Sequence, residues 1–507
     1  VRVRLVVGFV FSILSVFAQL PPGADLGEVE FHTSGSPAAQ KFFLKGILEL
    51  HNFEYDDSRE DFQAARKAET GFAMAYWGEA MTYNHPLWNQ QDTPAARAVL
   101  AQVPKAPTER EAEWIHAVQL LYGEGEQPVR DAAYADAMHR IHEKYPDDPD
   151  AACFYALALL GSTEGKRDYP VYMRAAAVLE EVYAKHPRHP GAAHYLIHSY
   201  DDPVHAPLGL RPARVYSKIA PAAEHAQHMP SHIFIALGMW DDVVASNEVS
   251  WSVSQERVVR KKLSVDELGY HAFSWLEYAY LQQGRYDDAR HVLMIMEQNA
   301  QSSGSKRTRS SLATMRAYYL VETGQWRTQV LRPDCGDLAV GPKAADLFTA
   351  GMEGLQTSVA NQTAATIEKL RAANDDASKI MADELEAASL MKHGKVEPAL
   401  EKAQAAAKRE DSLNFEFGPP FPVQPAHEFY GQALLEAGRA KQAVDQFQLA
   451  LKRTPGRTHS LLGIVRSSLA AKEYGPAREY LGQLRANLHR ADPAVRDSIL
   501  AEFQRLE

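Results

Sequence analysis

A two-helix unit of 32–34 residues recurs along the chain, and this constrains the fold more than any other feature. Residues 428–455, EFYGQALLEAGRAKQAVDQFQLALKRTP, read as an apolar-periodic helix, a glycine turn, a second amphipathic helix and a Pro-containing link; HSLLGIVRSSLAAKEYGPAREYLGQL (459–484) follows the same plan. Gly431 to Gly463 is 32 residues and Ala443 to Ala477 is 34. Earlier copies are WLEYAYLQQGRYDDARHVL (275–293), with Gly284 at the turn and Ala289 where the second helix packs on the first, and PSHIFIALGMWDDVVASNE (230–248), with Gly238 at the turn. One such unit cannot bury its own apolar face, so copies must stack. The expected fold is therefore an all-α helix-turn-helix solenoid, in place of the three or four domains that 507 residues at ~150 each suggest. No stretch alternates apolar and polar residues as a half-buried strand does.

The units resemble the tetratricopeptide repeat superfamily over most of the chain from about residue 37. The likeness is most specific in the C-terminal pair and around residues 222–300. Pro-bearing links such as YPDDPDA (145–151) and KHPRHPGAA (185–193) suit the junctions, because Pro at the first helical position gives up no hydrogen bond. The resemblance implies a right-handed superhelix of roughly a dozen helix pairs with a long concave surface. It also implies a scaffold that binds a peptide, a partner protein or a small molecule there. The expected divisions are N-terminal repeats over 37–300, degenerate repeats over 301–420 and C-terminal repeats over 421–507. The run HYLIH…HMPSHIF followed by G-x-W also resembles exported bacterial repeat proteins, which adds architecture but no activity.

Residues 1–18 read as a cleaved secretion signal. Arg2 and Arg4 precede an apolar run of about 13 residues, too short for the ~20 that span a bilayer, and Val16-Phe17-Ala18 suits a small-residue cleavage site. Residues 19–36 then form a linker, and the mature chain is expected in a periplasm or secreted, with no membrane span. Net charge is −11, near −13 without the leader, which argues against a general nucleic-acid binder. Two cysteines supply no disulfide framework, and Cys153, in the apolar run ACFYALALL, reads as a buried thiol.

Histidine is the residue whose distribution is uneven. Six of the 20 fall between His194 and His232, where an even spread gives about 1.5. His194 and His198 lie four apart on a first helix, and His228 and His232 repeat the spacing on the next first helix. Four-residue spacing puts two imidazoles on one helix face, one turn apart, within reach of one metal ion. Neighbouring first helices lie about 10 Å apart, so the four could hold zinc or copper together. Asp201, Asp202 and His205 in the intervening turn, with Glu224 and His225 before the second pair, are candidates for a general base or for orienting the ligands; Asp201, His205 and Glu224 take the catalytic role. Pro230 inside HMPSH puts the helical geometry of the second pair in question.

A second candidate region, LELHNFEYDD (48–57) with MAYWGEAMTYNHPLW (74–88), carries His51, Asn52, His85 and Trp88, which with His225 would line a ligand groove; capping and core packing are the competing explanation. GxSxG, Walker A, GxGxxG and CxxC motifs are absent, which leaves serine-esterase, P-loop and Rossmann readings without support. Two readings of the histidine-rich segment 186–232 remain. It lines the binding site of an extracytoplasmic scaffold, or it holds zinc or copper in a metal-dependent hydrolase, a copper oxidoreductase or a metal-binding protein.

Overall fold

A computed structural model describes residues 25–357, 360–415 and 417–506; the secretion-signal segment 1–18 lies outside the described residues. Helices follow one another along the whole described chain, joined in antiparallel pairs, and the architecture is a tetratricopeptide-like repeat solenoid. The one departure among the described residues is a two-residue ladder, Asn84–His85 against Gln90–Gln91. The Pro-bearing links start helices as expected. Pro149–Gly161 begins with Pro at its first turn and Asp148 capping Asp150 and Ala151 N–H, and Pro190–Tyr200 begins with the His189 ring accepting from Ala192 N–H. Gly238 and Gly284 occupy the inter-helix turns with φ of +67° and +69°, a conformation that favours glycine.

The 32-residue glycine spacing has a packing cause. The Phe447 ring lies between Gly431 and Gly463, first-helix glycines of consecutive repeats, and a Cβ at either would press into it. The same arrangement stands near the N-terminus, where Phe62 lies between Gly46 and Gly78. In both cases the aromatic ring of a second helix plugs into the two flanking first helices, and each glycine is what lets the helix approach.

The solenoid winds tightly enough to touch itself. In its first part, Tyr216 donates to Asn52 Oδ1 (2.7 Å), and Asn52 Nδ2 donates to Leu26 O (3.0 Å) and Leu48 O (2.8 Å). The expected 19–36 linker is therefore packed from residue 25 onward: Phe31 is buried against Phe43, Trp77 and Trp114. Further along, Trp240 Nε1–H donates to Gly456 O (3.0 Å), and buried Arg457 pairs with Glu322 (2.6 Å) and Glu428 (2.8 Å). Much of the expected concave surface is filled by these contacts. An open hollow of about 560 Å³ remains among the later first helices, lined by Trp326, Met352, Met391, Phe429, Gln432 and His459 among others. Both cysteines are unpaired and buried, as burial of Cys153 in its apolar run predicts. No helix among the described residues is long and apolar enough to cross a membrane.

The interlock predicts that Gly78→Ala lowers stability by about 1–3 kcal/mol through overpacking, whereas Gly71→Ala, with open space at its Cβ, changes it by less than about 0.5 kcal/mol. Equal urea midpoints for the two variants would mean that the rings do not set the spacing.

A second prediction concerns Glu384, which is fully buried with both carboxylate oxygens lacking a partner; burial, and then the Glu410 charge, push it well above its ordinary 4.5. The unfolded chain therefore gives up this proton first, and stability falls as pH rises past 4.5, by up to ~1.4 kcal/mol per pH unit. Glu384→Gln removes that loss, so its stability relative to wild type should rise from pH 5 to pH 8; a pH-independent difference would contradict a protonated Glu384.

Candidate metal centre

Histidines from three consecutive first-helix positions meet inside the solenoid. The helix Pro190–Tyr200 supplies His194 and His198. The next first helix is broken as Pro230 foreshadows, into Glu224–His228 and Pro230–Ala236, with Pro230 at the first position of the second piece. His228 and His232 nevertheless meet, Nε2 to Nε2 at 3.2 Å, because Met229 at the break keeps helical angles. The following first helix, Tyr270–Gln282, adds His271.

The four-histidine set expected from the spacing is divided differently. His194, His198 and His225 form one group with ligand atoms within 4.8 Å of one another, and His228, His232 and His271 form a second; no such group among the described residues joins His194 to His228 or His232. Broken-helix geometry is the reason: it turns His225 toward the first pair and leaves His271 to complete the second. The two groups are contiguous. Ring centroids lie 5.3 Å apart between His198 and His232, against 4.9 Å between His194 and His198 and 5.0 Å between His228 and His232.

The decisive detail is which nitrogen each ring has committed. His194 Nδ1 lies 2.6 Å from the His51 carbonyl oxygen, and His228 Nδ1 lies 2.7 Å from Asn247 Oδ1. Asn247 Nδ2 donates to Val243 O, which fixes its Oδ1 as the acceptor. His198 Nδ1 and His232 Nδ1 both lie 3.2 Å from one carboxylate oxygen, Asp201 Oδ2. Every one of these partners only accepts, so each Nδ1 carries a hydrogen, and in a neutral ring Nε2 then presents a lone pair. The Nε2 atoms of His194, His198 and His225 are buried without a partner. The Nε2 atoms of His228 and His232 face each other at 3.2 Å. Two imidazoles on one tetrahedral ion at ~2.05 Å would sit about 3.3 Å apart, close to the spacing present. Burial pushes His194 and His228 well below the usual histidine range and His198 down to about 4, so these rings are neutral at physiological pH, the form that binds metal.

Asp201 holds the two groups together. Burial acts to raise its carboxyl, but the Arg167 guanidinium and the two imidazole N–H groups outweigh this and hold it well below the usual carboxylate range. Arg167 also pairs with Asp202 (2.8 Å), which in turn accepts from His205 Nδ1 (2.8 Å). His205 is thus one step outside the cluster, its ring tilted against Tyr169. Glu224 is turned away as well, accepting from Ser250 Oγ (2.9 Å). Of the three residues given the catalytic role by the sequence, Asp201 alone touches the histidine rings.

The N-terminal candidates have different fates. His51 is fully buried: its Nε2 donates to Asp150 (2.8 Å), its Nδ1 meets Tyr195 OH (3.0 Å), and only its carbonyl reaches the centre. The compact group His51, Asp150 and His189 is held on Asp150 Oδ1, 2.8 Å from His51 and 3.4 Å from His189, and His189 Nδ1 caps the 190–200 helix. Asn52 is consumed in the packing described above, and His85 stacks on Tyr55 at 3.9 Å. Trp88 does come in: it is partly exposed, 6.0 Å from the His225 ring and 5.7 Å from Phe53. Sequence reasoning passed over His271, Trp275, Asn247, Arg167 and Phe417. His271 and Trp275 repeat the four-residue spacing of His194/His198 and His228/His232 on the next repeat, a signal present in the sequence. Phe417 arrives from the Pro-rich loop before the C-terminal repeats, 5.1 Å from His232, while Trp275 stands 4.5 Å from it.

No family model matches the chain, and no curated protein matches it. Among solved structures it is similar to human IFIT1 in a dimer with m7Gppp-AAAA (14% identity, 91% of this chain and 92% of that one, TM-score 0.36). It is also similar to the APC/C hetero-tetramer Cut9–Hcn1 (10%, 94% and 79%, TM-score 0.33) and to yeast Tom70 (10%, 92% and 95%, TM-score 0.27). Likeness at that level says nothing of ligand or partner.

The buried ion network makes a prediction of its own. Arg167→Met leaves Asp201 and Asp202 buried without their cation and should cost about 3–5 kcal/mol in urea unfolding. A loss under about 1 kcal/mol would mean that these carboxylates are neutral in the folded protein.

Proposed function

We propose that this protein binds transition-metal ions, zinc or copper, at two adjacent three-histidine sites inside a helical-repeat shell. The observation that carries the reading is the convergence of the buried, unpartnered Nε2 atoms of His194, His198 and His225, beside the facing Nε2 atoms of His228 and His232. Unpaired buried nitrogens of this kind cost free energy, which a bound cation would return. An all-imidazole donor set suits zinc and copper. Asp201 then plays the part a carboxylate takes behind metal-bound histidine: it fixes the tautomer and raises the basicity of His198 and His232 together.

As residents, such ions supply Lewis-acid or redox chemistry. The chain's own contribution is to hold six converging rings, border them with Phe53, Trp275 and Phe417, and leave an outer edge at exposed His271 and partly exposed Trp88. A scaffold role for the concave face has its own support in the 560 Å³ hollow of the later repeats, whose lining mixes Met352, Met391 and Phe429 with Gln432 and His459. That hollow contains none of the six clustered histidines, so a ligand there and a metal at the centre are compatible.

The test is elemental analysis of tag-free protein before and after incubation with zinc or copper. The expected result is more than one tightly held equivalent, a 10–100-fold loss of affinity in Asp201→Asn, and loss of the metal in His194→Ala/His232→Ala. Less than about 0.2 equivalents after loading would sink the metal reading and leave the concave-face scaffold in its place.

A further inference from the structure

We infer that the centre is a pair of copper ions and that its ligand is dioxygen, bound between them; the inference rests on the metal reading above and deepens it. Three observations lead there. First, each of the two groups offers three imidazoles, and the single carboxylate grouped with these rings is Asp201, beside His198 and His232. The Asp201 carboxylate sits behind two of the rings and is already matched by Arg167; Arg167, Asp201 and Asp202 together carry a single net negative charge.

Second, the surroundings penalise charge. Phe53 lies 4.3 Å from the His194 ring, Tyr216 stacks on the same ring at 5.2 Å, and Trp275 and Phe417 close the other group. Two divalent ions would place four positive charges in this aromatic shell, and at a given separation they repel each other roughly four times as strongly as two monovalent ions. Copper is the metal of the imidazole-binding group that is stable as a monovalent ion, and Cu(I) is content with the three nitrogens each group supplies.

Third, the two groups abut. The nearest rings of different groups, His198 and His232, lie 5.3 Å apart, against 4.6 Å for His228 and His271 and 4.9 Å for His194 and His198 within a group, so ions held by the two groups would be neighbours.

The chemistry of the pair is then balanced without outside help. With both groups loaded, each Cu(I) would give one electron to dioxygen and form one Cu–O bond, while the O–O bond would fall from double to single. The product would be peroxide with two negative charges between two Cu(II), with no proton moved. The net charge of the unit stays at two positive throughout, so a buried site that cannot absorb new charge is left undisturbed by the step. A diatomic ligand also suits the crowded site, which is reached at exposed His271 and Trp88 and by a small crevice beside Asp201, His232 and Phe417.

The experiment loads the full chain with Cu(I) under nitrogen, counts bound copper, then admits dioxygen and follows its uptake at an electrode together with the EPR signal. Expected are about two coppers per chain, one dioxygen consumed for every two coppers, and most of the copper EPR-silent because the two Cu(II) spins couple across the bridge. In His271→Ala, a substitution at an exposed position that the fold tolerates, about one copper should remain, with dioxygen uptake lost. Two coppers bound with no dioxygen uptake, or uptake that yields the full EPR signal of isolated Cu(II), overturns the dioxygen inference and leaves the metal reading standing. Failure to retain either copper or zinc overturns both.

Discussion

The insertion of one aromatic ring between two glycine-bearing helices determines the geometry on which everything else depends. Phe62 with Gly46 and Gly78, and Phe447 with Gly431 and Gly463, bring successive first helices to close approach at the two ends of the solenoid. Close approach means tight winding, and tight winding makes distant parts of the chain neighbours. Asn52 reaches Tyr216, and Gly456 reaches Trp240. The histidine centre sits where these self-contacts converge, with the His51 carbonyl on one side and Phe417 on the other. A looser superhelix would leave the same histidines on an open groove, hydrated and unconstrained.

That difference also explains how far the sequence could be read. Repeat period, helix pairing, turn glycines and Pro-started helices are local, and local rules predict them. The His194/His198 and His228/His232 pairs were legible for the same reason, since four-residue spacing on a helix is a local statement. What was not legible depends on contacts made across tens or hundreds of residues. His225 and His271 complete the two groups only because the helix breaks at Pro230 and the next repeat folds over it. His51 looked like a ligand, yet its ring is spent on Asp150 and Tyr195, and its main-chain oxygen is what matters to the centre. Phe417 lies 185 residues from His232 along the chain, beyond any local pattern.

The two buried histidine clusters, so similar in composition, show what separates structure from function here. Around Asp150, His51 and His189 have partners for their nitrogens: a carboxylate on one side, and a tyrosine hydroxyl or a helix-capping N–H on the other. Such a network ties both rings to one carboxylate oxygen, leaving Asp150 Oδ2 and His189 Nε2 without a hydrogen bond. Around Asp201 the same residue types are arranged with their donors satisfied and their acceptors empty. Proximity and burial are alike in the two places; the tautomer imposed by the acceptor behind each ring differs.

An incomplete network of this kind ties metal to stability. Each unfilled Nε2 lowers the stability of the metal-free fold, and a cation that satisfies several at once returns that free energy on binding, because the unfolded chain has no preformed site. The rings that would hold it come from three consecutive repeats, so the ion would also join repeats already linked by packing and by the Asp201 hydrogen bonds. Asp201 sets the size of this coupling. By accepting from His198 and His232 through one oxygen, it makes the orientation of a ring in one group depend on the orientation of a ring in the other. Filling one group therefore preorders the second, and the pair of sites should fill together more readily than either fills alone.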